Sequence, residues 1–184
     1  MNEIKLSVFF ILSAFITYIS WNSLKTLKSH GFYRFFAFEL IIFLTLLNIE
    51  YWYDNPFSSN QIISWTFLLI SFVVVIDGFY LLKKVGKPTG KDKNTENLGF
   101  ENTSNLVTSG IYKFIRHPLY ASLLFLGWGI SLKNLTKEGI IIAIMISIFI
   151  TLTAIIEEKE NRIRFGDEYS NYMLKTKMFI PFIF

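Results

Sequence analysis

Two stretches of this chain, Leu6–Leu24 and Gly139–Ile156, contain no charged residue. Each approaches the ~20 residues that a helix needs to cross ~30 Å of hydrocarbon. Two more apolar stretches follow the same pattern: Phe35–Tyr53 carries only Glu39 and Glu50, and Ile62–Leu82 only Asp77. In lipid the backbone must satisfy its own hydrogen bonds, so such segments fold as helices. A fifth, Leu119–Leu132, is short, and spans only by recruiting upstream residues or by thinning the bilayer. With 17% charged residues against the ~25% of soluble domains, and 52% hydrophobic residues, the chain is expected to be an all-α, polytopic integral membrane protein with about five transmembrane helices.

The basic residues orient it. With the N-terminus outside, 15 of the 18 Lys and Arg residues fall on one side: Lys25, Lys28 and Arg34; Lys83, Lys84, Lys87, Lys91, Lys93, Lys113 and Arg116; Lys159, Arg162, Arg164, Lys175 and Lys177. Lys5, Lys133 and Lys137 are left for the other. The positive-inside rule makes the crowded side cytoplasmic. Topology therefore accounts for the net charge of +4, and nucleic acid is not an expected partner. The first segment reads as a retained helix, because "NSLKTLKSH" after Trp21 offers no small-x-small cleavage site. With no cysteine and only His30 and His117, disulfides, thiolate metal sites, a cysteine nucleophile and a histidine-rich metal centre are excluded.

One membrane domain accounts for the whole chain. Its parts are three N-terminal helices (1–82), a cytoplasmic loop and motif (83–118), a helical hairpin (119–156) and a cytoplasmic tail (157–184). A loop as long as Lys83–Gly110 is either disordered or functional. The tail continues the last helix, Gly166 is a plausible break in it, and "MFIPFIF" packs back on the bundle or lies at the interface.

The chemistry-bearing residues lie at the two ends of the hairpin. In "IRHPLY", Pro118 suits the first turn of a helix, which puts Arg116 and His117 beside unpaired amides at its positive end, a corner that attracts an anion. The competing reading is a topogenic arginine followed by a helix-starting proline. Glu157 and Glu158 stand at the inner end of the last helix, where its dipole disfavours them by ~0.3–1 kcal/mol. A cation or hydroxyl donors compensate, or the pair is solvated or bridged to Arg162, one turn from Glu158. A hairpin brings these groups to one depth, with one wall suited to an anion and the other to a cation or hydroxyls.

The run "LVTSGIYKFIRHPLY", then 36 residues, then "EEKENRIRFGDEYSNY" with a late "IP", resembles the isoprenylcysteine carboxyl methyltransferase and phospholipid methyltransferase superfamily of membrane enzymes over Asn105–Pro181. The resemblance implies methyl transfer from S-adenosylmethionine, bound on the cytoplasmic side, to a lipophilic acceptor arriving through the bilayer. It implies that Ser104, Asn105, Leu106, Val107, Tyr112, His117, Pro118, Leu119, Tyr120 and Glu157 hold the cofactor. Glu157, Glu158 and Arg116 become the catalytic candidates. The chain departs from the family at Gly110-Ile111-Tyr112, where "GPY" is frequent, at Ser104, where a histidine sometimes opens the segment, and at Thr153. The carboxyl methyltransferases place an arginine at this last position to hold the acceptor carboxylate. A hydroxyl does not replace a bidentate guanidinium, which disfavours a prenylcysteine carboxylate as acceptor.

Thr153 is joined as a substrate-binding candidate by Glu39 and Asp77. Both lie about five residues inside the cytoplasmic ends of their helices, ~7–8 Å deep. Acidic groups at that depth bind a polar acceptor head or assist its deprotonation, or else pair with Arg34 and the loop lysines. Glu50 lies nearer the outer surface, where solvation or snorkelling accounts for it. Two other functions compete with methyl transfer. A sterol-type reductase carries an "RHPxY"-like segment but uses NADPH, and a small transporter or assembly factor needs no cofactor.

Overall fold

The expected all-α class is what the computed structural model shows, over the residues it describes, 2–90 and 98–183. Lys91 and Lys93 of the topology count lie outside the described residues. The described residues form α-helices α1 (Glu3–Ile19), α2 (Trp21–Leu24), α3 (His30–Asn48), α4 (Ser59–Lys84), α5 (Pro118–Ser131), α6 (Lys137–Phe165) and α7 (Asp167–Lys175), with no strand among them. Three are long and apolar enough to cross a membrane: α3 with its following turn (His30–Tyr51), α4 and α6. The apolar helix α5 has 14 residues, and α1 has 17.

Local chemistry sets the boundaries. Ser29 caps α3 by accepting from the Phe32 amide at 3.1 Å, and Thr136 caps α6 by accepting from Gly139 at 3.0 Å. Pro118 opens α5 at its first turn as expected. Gly166, at φ 58° and ψ −131°, ends α6 and separates it from α7, a backbone conformation that glycine adopts without a Cβ penalty. The expected first helix, Leu6–Leu24, is instead divided at Ser20 into α1 and the single turn α2. The last helix continues past Ile156 to Phe165, so Glu157 and Glu158 are more than a turn from its end. Its dipole therefore acts little on them, and Arg162 and Arg164 occupy the final turn.

α4 packs along α5, α3 along α6, and α5 along α6. Ala37, Ile41 and Leu44 of α3 meet Ile142, Ile146, Ile150 and Ala154 of α6, with Tyr120, Ala121 and Ile130 of α5 closing the core. Gly78 lets α4 approach the start of α5, because a Cβ there would lie 3.3 Å from Pro118. Helices in lipid gain from interhelical hydrogen bonds and close packing rather than from hydrophobic burial. Accordingly, Ser71 donates to Ser122 O (2.8 Å) and Ser64 to Gly129 O (2.7 Å). Apolar residues such as Phe72, Val73, Ile76, Ile141 and Ile148 remain exposed around the bundle. α1 buries none of its residues and rests on α3 through the Phe9 and Phe43 rings, 5.9 Å apart. Lys5 pairs with Glu50 at 2.8 Å, so Glu50 has a partner as well as solvent.

The two ends of the bundle differ. At one end Asn48 donates to Ile130 O, and Gln61 donates to Tyr51 O and Lys133 O. The Lys133 ammonium donates to Gln61 Oε1 at 3.0 Å and sits 3.5 Å from the centre of the Trp65 ring. At the other end lie the start of α3, the end of α4, the start of α5 and the last turns of α6, where the motif residues gather.

Candidate active site

The hairpin of α5 and α6 brings the "RHP" corner to the glutamate pair. Arg116 Nε donates to Glu158 Oε1 at 2.7 Å, and His117 Nε2 lies 3.4 Å from the same oxygen. Arg116 is engaged further, since its Nη1 also donates to the carbonyls of Thr176 (2.5 Å) and Met173 (3.4 Å). The corner is therefore neutralised from within rather than left open to an anion. Glu158 is answered by Arg116 and not by Arg162, whose Nε instead reaches the Met173 sulfur at 3.4 Å.

The tail holds this corner in place. Arg116 N donates to Lys177 O (2.8 Å), His117 N to Met178 O (3.1 Å) and Lys177 N to Phe114 O (3.0 Å). Phe179 is 1% exposed, with its ring centroid 6.3 Å from that of His117. "MFIPFIF" thus packs back on the bundle through Phe179.

A cleft opens between these elements. Its lining includes Leu106, Val107, Tyr112, Arg116, His117, Pro118, Leu119, Tyr120 and Glu157, joined by Leu82, Glu101, Thr103, Asn161, Phe165, Tyr169 and Tyr172. Of the residues expected to hold a cofactor, Ser104 and Asn105 are absent from this wall. Their side chains donate to Lys87 O (3.1 Å) and Val85 O (3.2 Å), holding the loop to the end of α4. Thr153 is fully buried, donates to Phe149 O at 2.8 Å and lies off the cleft. Glu39 and Asp77 also lie off it, and Arg34 pairs with Glu101 rather than with either of them.

The cleft wall combines neutral phenols with carboxylates. Burial, reinforced by the Glu157 charge, pushes the Tyr112 and Tyr169 hydroxyls well above the usual phenol range, and burial does the same for Tyr172. All three stay protonated donors at neutral pH. Tyr172 spends its proton on Tyr112 O at 2.6 Å, fixing the motif turn Gly110–Lys113. The His117 and Tyr120 rings stack 5.5 Å apart. The His117 Nε2 and Tyr120 hydroxyl are both buried without a completed hydrogen bond. Burying an unmade hydrogen bond costs ~1–3 kcal/mol; Glu158, 3.4 Å from His117 Nε2, and Glu157, beside Tyr120, offset part of that cost, and the wall keeps polar capacity for an occupant. No ion pair reaches Glu157 among the described residues, and it faces Tyr120.

Residues absent from the motif reading complete the site. Glu101 lines the cleft while its carboxylate takes a hydrogen bond from Arg34 Nη1 and lies 3.5 Å from His30 Nε2. Burial raises its pKa, but Arg34 and His30 overrule that and hold it below the usual carboxylate range. No spacing rule links these three. The available signal was that His30 is one of only two histidines, at a helix start on the same side as the motif.

Comparison with known proteins places this geometry. The sequence model of the phospholipid methyltransferase family matches residues 59–168, from the start of α4 to the first residues of α7. The chain belongs to this family. The expected membership thus holds, extended upstream through α4. Relatives of this phospholipid methyltransferase family member include methanethiol S-methyltransferase 1 of Bradyrhizobium diazoefficiens, 32% identical over 71 residues, or 39% of this chain and 24% of the relative. The methanethiol S-methyltransferase of Crocosphaera subtropica is 32% identical over 76 residues (41% and 29%). That of Pseudomonas deceptionensis is 31% identical over 71 residues (39% and 26%). These matches span less than a third of the relatives' own length. No solved structure matches the chain.

Proposed function

We propose that this chain is an S-adenosylmethionine-dependent methyltransferase acting on a lipophilic acceptor, with α1 and α3–α6 as five spans and the cleft facing the cytoplasm. The observation that carries the reading is the stacked pair of buried polar side chains His117 and Tyr120, neither with a completed hydrogen bond at Nε2 or OH, in a cleft walled by Glu157 and three further tyrosines. The donor set fits the cofactor's chemistry. Stacking surfaces suit a purine, Glu157 suits ribose hydroxyls or a cation, and neutral phenols avoid competing positive charge. The asymmetry of basic residues supports the orientation.

When bound, the cofactor supplies an electrophilic methyl group on a sulfonium. The residues of this chain align the acceptor for in-line displacement, where positioning contributes several kcal/mol. They also exclude water, which does not oppose a transition state that disperses positive charge. Glu157, free of an ion pair, takes the role of accepting the acceptor's proton. Arg116 and Glu158 hold the wall rather than touch the reacting atoms. Thr153 offers no guanidinium, so an acceptor without a carboxylate is favoured. A thiol fits that requirement, in line with what the relatives' names say of them.

Binding of labelled S-adenosylmethionine to the purified protein tests the reading, with NADPH as the competing ligand. His117→Ala and Glu157→Gln are each expected to weaken cofactor binding by at least about tenfold with the bundle still folded. Wild-type binding of NADPH alone, or unchanged S-adenosylmethionine affinity in both variants, sinks it. Mass spectrometry of lipids and volatile thioethers after feeding methyl-labelled methionine then separates a lipid acceptor from a small thiol.

A further inference from the structure

Residues 98–107 form a strap across one wall of the cleft, contributing Glu101, Thr103, Leu106 and Val107 to its lining. The strap is held from two sides. From α3, Arg34 Nη1 donates to Glu101 Oε1, and His30 Nε2 lies 3.5 Å from Oε2. His30 is itself anchored through Nδ1, 2.6 Å from Glu160 of α6. Also from α6, Arg164 donates to the carbonyls of Thr103 and Glu101. Arg34 and His30 are 3% and 2% exposed, and both precede the residues matched by the family model.

As built, the cleft encloses about 80 Å³, against the ~300–1,000 Å³ of small-molecule sites. A nucleoside-sized ligand is admitted only if a wall moves. The other walls belong to α4–α7 and to the motif turn, which is pinned by Tyr172. Towards the end of α4 the strap is tied by Ser104 and Asn105 to Gly86, Lys87 and Val85, whereas towards α3 it is fastened through the single carboxylate of Glu101. Arg34 and Glu101 are both largely buried, so opening this fastening brings both charges to water, and their hydration offsets part of the lost Coulomb attraction. Such a contact fixes position without forbidding motion.

We propose that Arg34 and His30 latch the strap through Glu101 and thereby set how fast the cofactor is exchanged. The inference rests on the reading of the cleft as the cofactor site. These are positioning residues, since neither lines the cleft, and helix α3 acquires through them a role in a site otherwise built from α4–α7, the strap and the motif turn.

The test uses the full chain in detergent or nanodiscs. It compares wild type with Arg34→Gln, the near-isosteric Glu101→Gln and the charge-conserving Arg34→Lys. Amide hydrogen exchange without cofactor reads the strap directly. Faster exchange over 98–107 in Arg34→Gln and Glu101→Gln, with α4 and α6 unchanged, is expected, along with partial restoration in Arg34→Lys. If breaking the latch leaves the strap closed about a tenth of the time, apparent cofactor affinity falls about tenfold, through faster release of labelled S-adenosylmethionine. Wild-type exchange over 98–107 in both glutamine variants overturns the latch, as does loss of protection throughout the bundle in both, which makes the pair a folding element. Faster strap exchange in a protein whose wild type binds no S-adenosylmethionine supports the latch and overturns the cofactor reading. Cofactor binding with wild-type release rates in every variant does the reverse.

Discussion

The two ends of the helical bundle both bury polar side chains and treat them differently. At the end away from the cleft, Asn48, Gln61, Ser64 and Lys133 all find carbonyl or amide partners, and the one ammonium rests on an indole. At the cleft end, Tyr120 OH and His117 Nε2 are buried without completed hydrogen bonds, the latter 3.4 Å from Glu158 Oε1, while His30 Nε2 faces Glu101 at 3.5 Å. Glu39 Oε1 is a further such atom among the described residues. A closed polar network orders helices in lipid, whereas an open one keeps hydrogen-bonding capacity for something that is not part of the chain. The contrast separates architecture from chemistry without reference to any motif.

Breaking the Arg116–Glu158 pair gives the sharpest distinction. Glu158→Ala leaves a guanidinium uncompensated at the cleft, a change that costs ~3–5 kcal/mol for a buried pair. Cofactor binding and thermal stability in detergent are both expected to fall. Retention of both would mean that the pair is ornamental. Gln61→Leu at the opposite end removes the partner of Lys133 and of two carbonyls, with an expected loss of ~1–3 kcal/mol in denaturant titration. Because it touches nothing in the cleft, cofactor affinity in the folded fraction should be unchanged, and a parallel loss of affinity breaks the comparison.

The smallest effect is in the response to pH. Glu101 has a lowered folded pKa, so its contribution is present above the ordinary carboxylate range and lost as pH falls through the folded value. Burial lowers Lys133 to about 8 from 10.5, so between those values the unfolded chain binds more protons and stability rises with pH. Arg34→Gln should flatten the acid limb of a melting-temperature profile, and Lys133→Met the alkaline limb, each leaving the other limb intact.

Much of the cleft was legible because its parts are local. Pro118 fixes a helix start, Gly166 a helix end, and the hairpin between them carries Arg116 to Glu158 whatever the bilayer does. The basic residues likewise mark which helix ends lie together. Three features were not legible. The division at Ser20 follows no proline or glycine. The Glu39 and Asp77 carboxylates look alike by depth, and neither meets Arg34, because a helix face rather than depth decides what a side chain touches. The Arg34–Glu101 contact joins a helix start to a loop 67 residues away, and loop register leaves no periodic trace.

Gln61 ties the turn after α3, the start of α4 and the turn after α5 into one knot, and so gives the bundle a pivot. Motion that widens the opposite end then becomes tilting about that knot rather than sliding. α4, with 26 residues, is a lever of ~39 Å, so a tilt of ~5° swings its far tip by ~3 Å at 1.5 Å rise per residue.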